Sequence, residues 1–160
     1  MVGLLFPKII DNTYRGQWLA LVLFLPVLAL KLMMGFNVAG LNPTLEVRDI
    51  LQNVDGIPLD SFSPEAVSEI LFMANAWGFS LFIICIIGVI ALLRYRAMIP
   101  VAILLLTIEQ VGRKAMSIAE SGLRLGPEEL TAGNIINWFL SAVLVLALIL
   151  SVVRRRSAEN

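Results

Sequence analysis

The stretch "LLLTIEQVGRKAM", Leu104 to Met116, sets Glu109, Gln110, Arg113 and Lys114 at the end of an aliphatic run. Glu109 and Arg113 stand at i and i+4 with the acid first, so on a helix they share a face and pair. A carboxylate beside a guanidinium supports three chemistries. It is an ion-pair clip, a seat for a polar or acidic headgroup, or an acid that carries a proton. Two further polar residues, Lys31 and Asn75, interrupt other apolar runs and are candidates for the same cluster. Together Lys31, Asn75, Glu109 and Arg113 form the candidate binding set.

The groups that most enzymes and metal sites need are absent from the chain. It contains no His, so the commonest general base and the commonest zinc, copper and haem ligand are missing. The one cysteine, Cys85, lies in an apolar run and reads as a small core residue. No Walker loop, nucleotide fingerprint, C-x-x-C or serine elbow occurs. An enzyme acting on a lipid or quinone would have Glu109 as its deep acid. No catalytic residue, cofactor or metal is expected. Trp77 and Trp138 read as packing or interfacial residues.

The elements that carry these residues are set by hydropathy. Of the 160 residues, 59% are hydrophobic and 15% charged, whereas soluble domains run closer to half apolar and a quarter charged. This composition makes a membrane protein of one domain. Net charge is zero, so no overall field points to nucleic acid. Four apolar segments, Trp18–Phe36, Ile70–Leu93, Ala97–Ile118 and Asn134–Val153, each approach the ~20 residues a bilayer core requires. Backbone in lipid must satisfy itself, so all four are expected as helices. The fold class is all-α: a four-helix transmembrane bundle with a short extracytoplasmic amphipathic helix. The outer loops are residues 37–69 and 119–133.

Orientation follows from the basic residues of the short loops. Lys8, Arg15, Arg94, Arg96 and the Arg154, Arg155, Arg156 run fall on one side, which is expected to be cytoplasmic with both termini. Acids such as Glu46, Asp49, Asp55, Asp60, Glu65, Glu128 and Glu129 gather on the other. The first apolar segment starts late and is too long for a signal peptide, so it is expected to stay as a helix, kinked at Pro26.

The intramembrane charges then acquire depths. With Ala97 at the inner end, Glu109 lies ~18 Å in, near the midplane, and Lys31 lies ~8 Å below the outer surface. Stopping the helix at Ile108 would leave too few residues to cross, so the charges belong to the span. Each costs at least ~2.5–3.5 kcal/mol there and needs a partner. Asn75, Asn134, Asn137 and Ser141 come to the same outer half, while the inner halves are nearly pure aliphatic. The expectation is a dry inner plug under a polar cup that opens outward. Small residues at Ala74 and Gly78, Ala115 and Ala119, and Gly133 and Ser141 mark where helices could approach.

The flanking segments carry start and stop signals. "NPTLEVRDILQNVDG" predicts the outer helix, with Asn42 as cap, Pro43 in its first turn and Asp55-Gly56 as its stop. Ser63 and Pro64 are a cap and first position for the next helix, and "GPEEL" at Gly126 is a similar start. The N-terminal "VGLLFPKIIDNTYRG" is expected along the inner interface, with Asp11 capping a turn.

The blocks "IDNTYRG", "DGIPLDSFSP" and "RYRAMIP" resemble recurrent blocks of small bacterial four-helix membrane proteins of uncharacterised function. The architecture is also similar to that of DoxX-like four-helix proteins. The resemblance implies a bacterial inner membrane and no particular activity. The expected function is that of a non-catalytic accessory or assembly subunit. It would pack against a larger membrane complex or a second copy of itself. The other reading is a lipid or small-molecule binding protein, or a small transporter, with an outward polar pocket around Glu109. A lipid or quinone would be its ligand. The expected partners are the bilayer and other membrane subunits.

Overall fold

The structure is a computed structural model that describes residues 2–121 and 132–153. Arg154, Arg155, Arg156, Arg124, Glu128, Glu129 and the start at Gly126 lie outside these residues. The described chain is helical and has no strand. Its elements are α1 (Val2–Leu5), α2 (Trp18–Val38), α3 (Val47–Asn53), α4 (Pro64–Leu93), α5 (Ile99–Ser121) and α6 (Ala132–Val152). Three helices, α2, α4 and the Asn134–Val152 part of α6, are long and apolar enough to cross a membrane.

A local signal sets the start of α4. Ser63 Oγ accepts from the Ala66 amide and Pro64 occupies the first position of α4, as the sequence predicts. The helix starts there rather than at Ile70, so it runs 30 residues, ~45 Å, with its first turns outside the apolar stretch. Gly56 closes the preceding turn at φ 71°, a conformation that glycine adopts without strain. Pro26 lies inside α2, and the helix runs through it. Two boundaries differ from expectation. The outer helix begins at Val47, not at Asn42. The Asn42 carboxamide instead accepts from the Thr44 amide at 3.0 Å and the Thr44 hydroxyl at 2.8 Å, a local turn that competes with helix. Residues 96–98 form a 3₁₀ turn before α5 because the Ala97 amide donates to Asp11 O, 3.2 Å away.

The four long helices form a square. Helix α2 packs on α4 and α6, and α5 packs on the same two, so α2 and α5 stand at opposite corners. The tightest seam is α2 with α4. A Cβ on Gly35 would lie 2.8 Å from Phe82 N, and one on Gly78 would lie 2.5 Å from Val38 C. Only the missing side chains let these backbones meet. The expected close approach at Gly78 is thus present, whereas Ala115 and Ala119 face outward. The core between the helices is aliphatic and aromatic, built around Phe24, Leu28, Leu81, Ile99, Ile103 and Leu144 with Cys85. A smaller cluster, Leu51, Leu59 and Val67, fastens α3 to the start of α4.

The N-terminal arm closes the other end. Gln17 N donates to Leu150 O at 3.2 Å, and Tyr14 packs on the core while its hydroxyl donates to Gln17 O. Burial pushes the Tyr14 phenol up to about 12, so it stays a donor. Gly16 abuts Ser151 O so closely that no side chain fits. Asp11 accepts from the Thr13 amide and pairs with Arg15. Two of the blocks named above, "IDNTYRG" and "RYRAMIP", therefore pack together through the Asp11–Ala97 bond.

Candidate functional site: a polar layer across the helical bundle

All four long helices contribute side chains to the layer, and α5 supplies its centre with Glu109, Gln110 and Arg113. Lys31 sits two turns before the end of α2, and its side chain is fully buried. Its Nζ lies 2.5 Å from Glu109 Oε2 of α5, across the diagonal of the square. The second carboxylate oxygen, Oε1, accepts from Trp77 Nε1 of α4 at 3.0 Å and from Arg113 Nε at 3.2 Å. Glu109 thus meets a cation on each oxygen and an indole besides. A buried carboxylate is tolerated only with this degree of pairing.

Helix α6 enters through Gln110. The Gln110 amide nitrogen donates to Asn137 O at 3.0 Å and to Asn137 Oδ1 at 3.2 Å, with Ser141 Oγ at 3.4 Å. Its carbonyl oxygen accepts from Arg113 at 3.1 Å. The Arg113 guanidinium lies over the Trp77 ring at 4.7 Å, which satisfies the cation through the ring face and both neighbours. One turn on, Lys114 Nζ reaches Asn134 Oδ1 at 2.5 Å and the Trp138 ring at 4.9 Å.

Of the candidate set, Lys31, Glu109 and Arg113 come together and Asn75 does not. Asn75 is on α4, but its Oδ1 points to the start of the outer loop. A Cβ on Gly40 would meet it at 3.8 Å. That oxygen is buried without a hydrogen-bond partner among the described residues. Trp77 takes the place assigned to Asn75. Two positions apart on a helix, the two side chains point about 200° apart, so only one can face Glu109. The signal for Trp77 was its indole N–H, which needs an acceptor when buried. Gln110, Asn137 and Ser141 were visible as polar residues at the right depth, but their contacts were not.

Ion pairs and carboxamides fill the middle of the bundle. A cleft of about 100 Å³ opens on the α5–α6 side, lined by Gln110, Arg113, Lys114, Ser117 and Asn137. It borders the two cations and not Glu109. Among the described residues no group of His, Cys, Asp and Glu could hold a metal ion. The topology residues Arg94 and Arg96 are exposed at the turn between α4 and α5.

Compared with known proteins, the chain matches no family model, no curated protein and no solved structure.

Proposed function

We propose that this chain is a four-helix integral protein of the bacterial inner membrane with both termini in the cytoplasm. It acts as a non-catalytic accessory or assembly subunit that packs against other membrane proteins or a second copy. The fourth crossing is α5. Its 23 residues give ~34 Å, enough for a ~30 Å core, and its charges are carried in a paired layer. The observation that carries the functional reading is the closure of that layer. Glu109 spends both oxygens on Lys31, Arg113 and Trp77, so among the described residues each already has a donor. What remains for interaction is the apolar exterior of α4 and α6, where Phe72, Phe79, Ile83, Phe139 and Ile149 are exposed. Crosslinking in intact membranes, followed by native mass spectrometry in mild detergent, tests this. Stoichiometric protein partners or a defined oligomer are expected. A lone monomer under both conditions would sink the subunit reading.

The cleft beside Arg113 and Lys114 favours a second reading, a lipid or small-molecule binding protein or small transporter. Its lining carries two cations and two carboxamides, a match for an acidic headgroup. Binding of an anionic ligand that is lost in Lys114→Gln and kept in Glu109→Gln would favour it.

A further inference from the structure

At the opposite end of the bundle from the polar layer, a second cavity opens between α4, α5 and the N-terminal arm. It measures about 400 Å³ and is lined by apolar surface from Ile10, Ile87, Ile90, Tyr95, Met98 and Val101. Ile87 and Ile90 are 46% and 47% exposed, so the furrow is open along its flank. From Ile87 to Arg94 the helix climbs ~10 Å, so the furrow runs lengthwise down from the turn that joins α4 and α5. That length and the apolar lining suit a stretch of hydrocarbon chain.

Exposed arginines adjoin the lining residues at the α4–α5 turn. Arg94 lies 6.0 Å from the ring of Tyr95, which lines the cavity. Arg96 opens the 3₁₀ turn that ends at Met98, another lining residue, and its Nε donates to Leu92 O. Both arginines are exposed, and neither has a carboxylate partner among the described residues. Lys8, also exposed, stands two residues before Ile10 on the arm. Apolar walls beside arginines that have no carboxylate partner among the described residues match the polarity profile of one ligand class. That class has an anionic phosphate attached to a hydrocarbon chain.

We propose that this furrow is a binding site for an anionic phospholipid. One acyl chain lies between α4, α5 and Ile10, and the phosphate sits against Arg94 and Arg96. Charge complementarity selects this occupant. A neutral quinone ring or zwitterionic lipid fills the apolar part and leaves the arginines without a net anion. The arm contributes Ile10 as one wall, so the bound chain also clamps the arm to the bundle. This inference rests on the reading of the chain as membrane-spanning.

The test begins with carbonate-washed membranes, then reconstitutes the full chain into equimolar phosphatidylglycerol and phosphatidylcholine of identical chains. After extraction in mild detergent, native mass spectrometry counts the lipids that stay bound. Wild type is expected to retain one lipid, enriched in phosphatidylglycerol by about tenfold or more, since each surface arginine favours an anionic lipid. Arg94→Ala with Arg96→Ala should abolish the enrichment. Ile90→Trp fills the furrow and should lower retention of either lipid at least fivefold, with circular dichroism reporting the helices. The arginine variants change exposed residues and keep the test valid if Ile90→Trp does not fold. A membrane-embedded wild type with no retained lipid, or with equal amounts of the two, overturns the proposal alone. So does unchanged enrichment in the arginine double variant. A chain released by carbonate overturns the membrane reading and this proposal together.

Discussion

Replacing Glu109 with Gln is the sharpest probe of the polar layer. The substitution keeps side-chain volume and removes the charge. Lys31 then loses the only carboxylate within ion-pair distance among the described residues, and its side chain is 1% exposed. Removing one partner of a buried pair costs ~3–5 kcal/mol, because the other charge stays buried and unpaired. Arg113 suffers less, since it keeps Gln110 Oε1, lies over Trp77 and is 39% exposed. A loss of ~3 kcal/mol is therefore expected for Glu109→Gln. The double variant Lys31→Met with Glu109→Gln removes both charges and should return to within ~1 kcal/mol of wild type, because an apolar replacement of a buried pair is often neutral or better. The assay is unfolding by dodecyl sulfate titrated into mild detergent, read by tryptophan fluorescence and far-ultraviolet circular dichroism. The four variants make a double-mutant cycle, with an expected coupling of at least ~2 kcal/mol. A Glu109→Gln loss below ~1 kcal/mol, or a double variant no more stable than Glu109→Gln, refutes the reasoning.

Trp77→Phe keeps a ring under Arg113 but deletes the indole donor to Glu109, and should cost ~1.5–3 kcal/mol in the same titration, as a hydrogen bond to a charged group does. If Phe is tolerated within ~0.5 kcal/mol, the bond has no structural weight. Gly78→Ala forces a Cβ against Val38 and Ala39 backbone, 2.5 Å away, and should separate α2 from α4 at a cost of several kcal/mol. Gly112→Ala meets nothing within 4 Å and should be neutral or stabilise by up to ~1 kcal/mol, so equal effects at the two sites would contradict the seam. Between α3 and α4, hydrogen bonds from Arg48 and then Gln52 hold the Asp60 carboxyl below its ordinary value of 3.8. A lowered folded value adds stability that is present above that range and is lost as pH falls through the folded value. Proteolytic nicking of residues 54–62 should therefore rise at acid pH, and Asp60→Asn should be nicked equally at pH 3 and pH 7.

The polar layer shows how far depth alone carries an inference. The i,i+4 spacing pairs Glu109 with Arg113 and height along a second apolar run adds Lys31, and the structure joins the three. Asn75 was added by the same argument and sits elsewhere, over Gly40. Height follows from ~1.5 Å per residue, but rotation about each helix axis does not. Trp77, two residues from Asn75, points the other way and takes the contact. Asn42 is a similar case. Its composition suits a helix cap, but the same carboxamide closes a turn with Thr44, and the helix waits until Val47. Two uses of one hydrogen-bonding group are near in energy, so tertiary contacts choose between them.

The sequence by itself determined the helical class, the apolar runs of α2, α4 and α6, the start of α4 at Ser63 and Pro64, and a polar layer that must pair internally. These rest on hydropathy, on the cost of unsatisfied groups in lipid and on local capping chemistry, all of which act within one segment. Tertiary structure decided the square order of the helices, with α2 and α5 at opposite corners and their ion pair across the middle. It also decided the Trp77 contact and the arm's bond to Ala97. The physical reason is that these depend on azimuth and on which backbones can touch. At Gly35 and Gly78 that choice is made by the fit of one helix against another.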